Sequence, residues 1–234
     1  MDNLMKTAKI SVIIPVFNEE DTIDEILKEV NAVPIDKEII IVDDGSTDRT
    51  RRIIEGLKNV NIKKVFHEKN LGKGAAIRSA QPLVEGDVVI IQDADLEYHP
   101  DEYPQLISNI VKGRADAVFG SRFIGAHRCF LFTHYQGNKI VNLIASVLYD
   151  THLTDFMTCY KAFTSAAFKK LDITSNRFGV EAEITGELFR RGFRVYEVPI
   201  SYSGRNYSEG KKIKWTDFFV VIVALFKAKF KKIK

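Results

Sequence analysis

The sequence predicts an α/β fold in which a mostly parallel central sheet is covered by helices on both faces. Over residues 9–123, short apolar runs typical of buried strands alternate with amphipathic stretches typical of helices. Polar motifs directly follow three of these runs, and ligands of such sheets bind beyond the carboxyl ends of the strands. The alternation therefore predicts both the fold class and the edge of the sheet that carries the function.

Five strands are predicted in the first half of the chain. The first is Lys9–Phe17 and the second is Glu38–Val42, and the runs NIKKVFHE, GDVVIIQ and ADAVFGSRF follow. Apolar residues recur at helical spacing after each of the first two strands, which predicts an amphipathic helix there. Further helices are predicted in NLGKGAAIRSAQPLV and YPQLISNIVKG.

The pattern changes after about Phe123. The run THYQGNKIVNLIASVLYD predicts a long amphipathic helix, VEAEITGELFRRG a second helix and RVYEVPISY a sixth strand, while FKKL lies in a short element. We expect a single domain over residues 1–234, in which residues 123–214 cover one end of the sheet. No internal repeat or low-complexity linker divides the sequence.

Composition limits the possible partners. The net charge of +3 gives no support for nucleic-acid binding, and none is expected. Two cysteines without metal-like or redox-like spacing fit a reducing, cytoplasmic compartment. The N-terminal residues lack the layout of a signal peptide, because their apolar run is short and is better explained as a strand.

The C-terminal segment, residues 215–234, combines apolar and basic residues. Every residue from Phe218 to Phe226 is apolar, and KAKFKKIK follows. These nine apolar residues are too few to cross a bilayer as a helix, which needs about 20. The segment fits either a helix packed on the core or a basic amphipathic helix that lies in a membrane interface beside anionic lipid.

Three acidic residues follow the fourth predicted strand at alternate positions, in QDADLE. If the chain stays extended there, Asp93, Asp95 and Glu97 point to the same side. Clustered carboxylates repel one another, and a cation such as Mg²⁺ removes that repulsion while it also binds substrate phosphate. A solvated loop explains the same letters, and a D-x-D motif alone is a weak signal.

Two further polar motifs lie at predicted helix starts. In VDDGSTDRT, Asp43 and Asp44 are candidates to accept hydrogen bonds from a base or a ribose, although a loop that caps the next helix explains the motif too. In NLGKGAA, Lys73 and free backbone N–H groups at a helix start favour phosphate binding. An ordinary helix start is the simpler explanation of that motif taken alone.

Basic residues occur in two motifs of the second half. Arg122 follows the fifth predicted strand in GSRF, and Arg205, Lys211 and Lys212 lie in GRNYSEGKKIKW. Arginine side chains suit the recognition of a diphosphate, because their N–H groups match two oxygens at once. For the second motif alone, an exposed basic turn is the simpler explanation.

In their order along the chain, these motifs resemble the family 2 glycosyltransferases of the GT-A fold. The resemblance is carried by SVIIPVFNEE, IIIVDDGSTDRT, NLGKGAAIRSA, QDADLEYHP, FGSRF, LTDFMTCYKAF, FGVEAEI and EVPISYSGRNYSEGKKI, which cover nearly the whole chain. The closer match is to the polyprenyl-phosphate branch, which is similar to dolichol-phosphate mannose synthase. Each motif alone is weak, whereas the ordered set is specific.

The resemblance implies a nucleotide-sugar-binding half, residues 1–122, and an acceptor-side half, residues 123–214. The implied nucleotide-sugar contacts are Pro15, Phe17, Glu19, Val42, Asp44, Lys73, Asp93, Ala94, Asp95, Arg122, Arg205 and Lys211. The implied catalytic residues are Asp93, Asp95, Arg122 and Asp155. The resemblance also implies that Asp95 and Glu97 hold Mg²⁺ or Mn²⁺.

The implied reaction is an inverting, metal-dependent transfer of a hexose from a GDP-mannose or UDP-glucose type of donor to a polyprenyl or dolichyl phosphate. The metal, Arg205 and Lys211 would stabilise the charge on the departing diphosphate. A lipid phosphate is already a nucleophilic anion, whereas a hydroxyl acceptor needs a base, for which Asp155 is the candidate. The implied location is the cytoplasmic face of a membrane, reached through the C-terminal segment or a separate membrane subunit.

Two other functions are compatible with the same residues. One is transfer to a saccharide hydroxyl in cell-surface polysaccharide or glycan synthesis. The other is a sugar-nucleotide-binding subunit without turnover that partners a membrane protein, against which the intact acidic residues argue. The basic C-terminal segment and the GRNYSEGKKI motif favour the lipid-phosphate acceptor.

Overall fold

The computed structural model describes residues 8–128, 132–177, 179–204 and 216–232. Their centre is a seven-stranded sheet in the order β3-β2-β1-β4-β6-β5-β7. The strands are β1 Ile10–Val16, β2 Lys37–Asp43, β3 Ile62–Phe66, β4 Val88–Ile91, β5 Ala117–Ser121, β6 Lys161–Thr164 and β7 Val195–Pro199. Among the described strands only β6 is antiparallel to its neighbours, which confirms the predicted mostly parallel sheet.

The strand β6 is missing from the sequence-based prediction. Its sequence, KAFT, is four residues long and begins with a lysine, so it lacks the apolar run that identifies the other strands. It forms because β4 and β5 pair with it from both sides, with Lys161 opposite Ile91 and Phe119. These pairings join residues far apart in sequence, which no local pattern reveals.

Helices cover both faces of the sheet, as predicted. The helices of the described ranges are α1 Ile23–Ala32, α2 Thr50–Gly56, α3 Lys73–Ala80, α4 Tyr103–Val111, α5 Phe132–Tyr149, α6 Ser165–Lys169, α7 Gly179–Arg190 and α8 Thr216–Phe230. Buried residues of α1, α2 and α4 pack on one face of the sheet and form the first core. Those of α3 and α5 to α8 pack on the other face and form the second core. In β1, Val12 and Ile14 face the first core and Ile13 faces the second, as the two-residue period of a strand requires.

Residues 123–214 contribute β6 and β7 to the same sheet as the first half of the chain. This arrangement places the polar loops of the first half and the chain around Asp155 at one edge of the sheet. The motifs after β1, β2 and β4 all lie at carboxyl strand ends, as the sequence predicts.

Helix α8 has one face in the core and one face exposed. Val221, Leu225 and Ala228 are buried against the second core, and a Cβ on Gly186 of α7 would lie 2.7 Å from the Ala228 Cβ. The opposite face exposes apolar side chains, of which Phe230 is 76% exposed. One face of this helix therefore packs on the core. Among the helices that the structure describes, none is long and apolar enough to cross a membrane.

Candidate functional site

The loops after β1 and β2 are tied together by hydrogen bonds. The Asn18 backbone N–H donates to Ser46 Oγ at 3.0 Å, and the Thr47 N–H donates to Asn18 Oδ1 at 2.8 Å. Asn18 has a φ of 54°, a left-handed conformation that asparagine tolerates better than most residues. The predicted nucleotide contacts on this segment, all partly exposed, are Pro15, Phe17 and Glu19.

Asp44 is buried and binds the loop between β3 and α3. Its Oδ1 accepts a hydrogen bond from the Leu71 N–H at 2.9 Å, and its Oδ2 accepts one from the Gly72 N–H at 2.7 Å. His67 Nδ1 lies 2.7 Å from the same Oδ1. Asp44 therefore shapes a neighbouring loop, and its contact with a nucleotide stays a prediction. The same holds for Val42, whose side chain is fully buried in the second core.

Three backbone N–H groups at the start of α3 are already hydrogen-bonded, contrary to the free groups expected for a phosphate. The Gly72 N–H is bound to Asp44, and the Gly74 and Ala75 N–H groups donate to the Asn176 carbonyl at 2.8 and 3.3 Å. The prediction that these three backbone groups bind a phosphate is therefore wrong, because each already has a partner within the protein. The Lys73 side chain, which follows Gly72, points to other acidic groups of the site and remains a predicted donor contact.

The chain turns after β4. The prediction that Asp93, Asp95 and Glu97 lie on an extended chain and point to the same side is therefore wrong. The strand ends at Ile91, and Leu96 has a left-handed φ of 61°. Asp93 Oδ1 lies 2.6 Å from Lys73 Nζ. Glu97 Oε2 instead accepts a hydrogen bond from the Tyr202 hydroxyl at 2.8 Å. The turn separates Asp93 from Glu97 because its left-handed residue breaks the two-residue period.

Asp95 and Glu97 are the carboxylates of this turn that fit a divalent cation. Asp95 Oδ1 accepts a hydrogen bond from the Glu97 N–H at 3.3 Å, and both residues are partly exposed. Hard cations such as Mg²⁺ combine one or two carboxylates with water and phosphate oxygens. In the described part of the chain, no group of three or more His, Cys, Asp and Glu side chains is arranged to hold a metal. A two-carboxylate site would therefore depend on the substrate for its remaining ligands.

Arg122 and Asp155 form a buried bidentate ion pair. Arg122 Nε lies 2.6 Å from Asp155 Oδ2 and Arg122 Nη2 lies 2.7 Å from Oδ1, while the Arg122 backbone N–H also donates to Oδ2. Asp155 has no exposed surface. Burial disfavours the charged guanidinium, but the Asp155 carboxylate outweighs it and holds the pKa of Arg122 well above its usual range. The pair stacks against Tyr202, whose ring centroid lies 5.3 Å from the guanidinium carbon.

The sequence pattern does not reveal Glu197 of β7 as a residue of this region. Its Oε2 accepts a hydrogen bond from the Thr154 N–H at 2.8 Å, and its Oε1 accepts one from the Asp155 N–H at 2.9 Å. Burial raises the pKa of Glu197 despite these donors. Glu197 thus fixes the backbone that presents Asp155 to Arg122. A glutamate inside the apolar run of a predicted strand is the signal that could have found it.

Lys161 and Glu181 also escape the sequence-based prediction, although their motifs contribute to the resemblance. Lys161 has no exposed surface and Glu181 is 4% exposed, yet their charged atoms lie 2.5 Å apart.

Ala94, a predicted donor contact, is 3% exposed on the turn after β4. The predicted Arg205 and Lys211, and Lys212 beside them, lie outside the described residues.

Comparison with known proteins identifies the family. The sequence profile described as Glycosyl transferase family 2 matches residues 11–172. The chain belongs to that family. The glycosyltransferase AglJ of Haloferax volcanii is 27% identical over 198 residues, which are 84% of this chain and 63% of AglJ. The undecaprenyl-phosphate 4-deoxy-4-formamido-L-arabinose transferase of Pseudomonas fluorescens is 29% identical over 211 residues, which are 86% of this chain and 59% of that protein.

Relatives and solved structures differ in how much of their length this family 2 chain covers. It spans 63% and 59% of the two relatives. It matches 80% of the glucosyl-3-phosphoglycerate synthase of Mycobacterium tuberculosis, whose crystal structure contains Mn²⁺, UDP and phosphoglyceric acid. That match covers 97% of this chain with a TM-score of 0.75 at 21% identity. The similarity confirms the predicted GT-A fold.

Proposed function

We propose that this family 2 chain transfers a sugar from a nucleoside-diphosphate sugar to a polyprenyl phosphate. Family membership and the undecaprenyl phosphate in the name of the Pseudomonas fluorescens relative support the class of reaction. One observation supports the class of acceptor. The Asp155 carboxylate is fully buried, and both of its oxygens bind Arg122.

The buried pair favours an acceptor that needs no base. To deprotonate a hydroxyl acceptor, Asp155 would have to expose an oxygen and give up part of its bidentate pair with Arg122. Removing one partner from a buried ion pair is strongly unfavourable. A phosphate monoester is already an anion, so it can attack without transferring a proton. Asp155 then serves to hold Arg122, and the guanidinium is the group that meets charged substrate.

The donor would lie over the turn after β4. Asp93 and Asp95 with Ala94 are the proposed contacts of its sugar and diphosphate, and Lys73 is close enough to Asp93 to act with it. Asp95 and Glu97 would hold Mg²⁺ or Mn²⁺, which when bound neutralises charge on the diphosphate. The loops that carry Pro15, Phe17 and Glu19 would surround the base and ribose.

The bond changes follow a single displacement. An oxygen of the acceptor phosphate forms a bond to the anomeric carbon while the bond from that carbon to the donor diphosphate breaks. The electron pair leaves with the nucleoside diphosphate, and no proton moves. Attack from the face opposite the leaving group inverts the anomeric configuration. Arg122 and the predicted basic residues Arg205 and Lys211 would stabilise the negative charge that collects on the phosphates.

A transfer assay tests the reaction. Purified protein is incubated with radiolabelled UDP-glucose, UDP-galactose, UDP-N-acetylglucosamine or GDP-mannose, each with detergent-dispersed polyprenyl phosphate and with or without Mn²⁺. We expect one donor to label the extracted lipid, in a metal-dependent way. Asp95→Asn should abolish this turnover and leave the protein folded. Folded wild-type protein that labels no lipid with any donor contradicts the proposal.

Helix α8 is proposed as the contact with the membrane surface, on its cytoplasmic face. Its exposed face carries apolar side chains, including Phe219 at 59% and Val223 at 50% exposure. Lys227 and Lys232 are exposed near the C-terminal end of the same helix. An apolar stripe beside lysines suits an interface that contains anionic lipid. A separate membrane subunit is the alternative partner for the same face.

Vesicle sedimentation distinguishes these partners. We expect wild-type protein to sediment with phosphatidylglycerol vesicles more than with phosphatidylcholine vesicles, because the lysines add attraction to the anionic surface. Phe219→Ser combined with Val223→Ser should reduce sedimentation, whereas the control Val60→Ser should not, since Val60 is 94% exposed in the loop between α2 and β3. Equal sedimentation of the wild type and all variants would favour a separate membrane subunit as the partner of α8.

A further inference from the structure

Four charged side chains form an alternating chain next to the candidate donor site. Lys161 Nζ lies 2.5 Å from Glu181 Oε2, and Glu181 Oε1 lies 3.3 Å from Lys73 Nζ. Lys73 Nζ lies 2.6 Å from Asp93 Oδ1. The four residues come from β6, α7, α3 and the turn after β4. The chain therefore links the interior of the sheet to a carboxylate at the edge where the donor would bind.

Burial makes the inner pair of this chain mutually dependent. The Lys161 side chain has no exposed surface and the Glu181 side chain is 5% exposed. Lys161 Nζ also donates to the Thr158 carbonyl and lies 4.7 Å from the centre of the Phe119 ring. Neither charge of a buried pair is tolerated without its partner. The inner pair is neutral, and so is the outer pair of Lys73 and Asp93.

The outer pair is less buried and lies between the inner pair and the site. The side chains of Lys73 and Asp93 are 22% and 18% exposed. Burial disfavours the Lys73 ammonium group, but Asp93 and Glu181 outweigh it and hold the pKa of Lys73 well above its usual range. Lys73 is thus a permanent cation between two carboxylates. Whether Lys73 pairs mainly with Asp93 or is shared with Glu181 depends on whether Lys161 neutralises Glu181.

We infer that Lys161 and Glu181 are positioning residues, which together keep Lys73 paired with Asp93 and keep the cluster neutral beside the donor's diphosphate. This inference rests on the proposed function, because it requires a nucleoside diphosphate at the turn after β4. Without the Lys161 charge, Lys73 is shared by two carboxylates and the cluster carries one net negative charge. That charge repels a diphosphate in a site where low water content weakens screening.

Charge balance predicts opposite effects for the two single substitutions. Lys161→Met leaves a net negative charge and should weaken binding of UDP or GDP by about tenfold. Glu181→Gln leaves a net positive charge and should not weaken it. The double variant K161M/E181Q removes both charges and should bind about as tightly as the wild type. A purely structural role predicts that both single variants and the double variant lose affinity together.

Isothermal titration calorimetry with UDP and with GDP, each in the presence of Mn²⁺, measures these affinities on variants that retain the wild-type near-UV circular dichroism spectrum. The matched control is Lys63→Met. Lys63 Nζ lies 2.8 Å from Glu38 Oε2 near the amino ends of β2 and β3, away from the candidate site. This control should lose stability but keep its nucleotide affinity.

The outcomes separate the inference from the proposed function. Wild-type protein that binds neither UDP nor GDP overturns the proposed function and the inference with it. Wild-type protein that binds one of them, with K161M equally tight or with K161M/E181Q as weak as K161M, overturns the inference alone. If K161M does not fold, E181Q and the double variant decide, because both should keep the wild-type affinity and a loss in either overturns the inference. If E181Q does not fold, the weaker binding of K161M and its recovery in the double variant decide.

Discussion

The buried acidic residues near the candidate site are held in two different ways. The Asp44 carboxylate, after β2, accepts hydrogen bonds from backbone N–H groups of the next loop and lies beside His67. Asp155 and Glu181 are each bound by charged side chains, Arg122 and Lys161. The first arrangement shapes loops, whereas the second holds cations at fixed positions next to the site.

This difference determines how much a substitution lowers the stability of the protein. A carboxylate held by backbone N–H groups can be replaced by an amide that keeps part of the hydrogen bonding. A buried carboxylate that loses its cation keeps a charge that nothing nearby neutralises. Asp155 and Glu181 should therefore be more sensitive than Asp44 to the loss of one partner.

The largest effect is expected for Arg122→Met. This change leaves the fully buried Asp155 without its cation, and it should lower the free energy of unfolding by about 3–5 kcal/mol. The control Arg194→Met removes another bidentate pair, in which Arg194 is 56% exposed beside Asp116, and should change stability little. Urea denaturation measures both. Equal losses would show that burial does not determine the cost of removing the arginine.

Buried acidic residues with charged partners also occur in the first half of the chain, where Asp43 pairs with Arg51 and Glu38 with Lys63. Burial raises the pKa of Glu38, but Lys63, Ser11 and the Glu85 N–H outweigh it and lower the pKa from 4.5 to about 2. Because the folded-state pKa is depressed, the resulting stability is present above about pH 4.5 and is lost as the pH falls towards about 2. The full shift corresponds to about 3 kcal/mol, and solvent screening at the partly exposed Lys63 reduces this to about 2 kcal/mol.

Urea denaturation between neutral pH and about pH 2 measures this loss, with Glu38→Gln as the comparison. The variant should show a flatter dependence of stability on pH over the same window, since it has no carboxylate to protonate. Identical pH profiles for the two proteins would mean that other groups control acid stability and that the Glu38 contacts contribute little.

A similar but more local effect is expected for Asp44→Asn. The amide can accept from only one of the Leu71 and Gly72 N–H groups, so the other loses its partner, at a cost of about 2 kcal/mol. Hydrogen exchange should report faster opening of the loop between β3 and α3. A loss as large as that of Arg122→Met would erase the contrast between neutral and charged partners.

The smallest effect is expected at Gly137 and Gly192, where an added Cβ would meet no atom within 4 Å. In Gly137→Ala, the new methyl group meets nothing within 4 Å inside α5, so we expect a gain of about 0.5–1 kcal/mol. Gly192 is equally open but has a φ of +71°, so Gly192→Ala should destabilise the protein by about 1 kcal/mol. Thermal unfolding measures both. Similar shifts for the two would show that backbone conformation does not control them.

The sequence predicts what local patterns encode. Apolar runs locate six of the seven strands, and the polar motifs fall at strand ends as expected. The strand β6 escapes prediction because its pairing with β4 and β5 is non-local. Lys161 and Glu181 escape for the same reason, since 20 residues and a strand-to-helix change separate two atoms that meet at 2.5 Å. The assumption of an extended chain after β4 failed because Leu96 adopts a left-handed turn conformation.

The central claim is that the acceptor is already an anion, so that Asp155 holds Arg122 and does not act as a base. The most direct measurement compares three acceptors, a polyprenyl phosphate, the corresponding polyprenol and a saccharide, with the donor that the transfer assay identifies. We predict transfer to the phosphate and none to the alcohol or to a saccharide hydroxyl. Transfer to either hydroxyl at a rate comparable to the phosphate would contradict the claim, because that reaction needs a base.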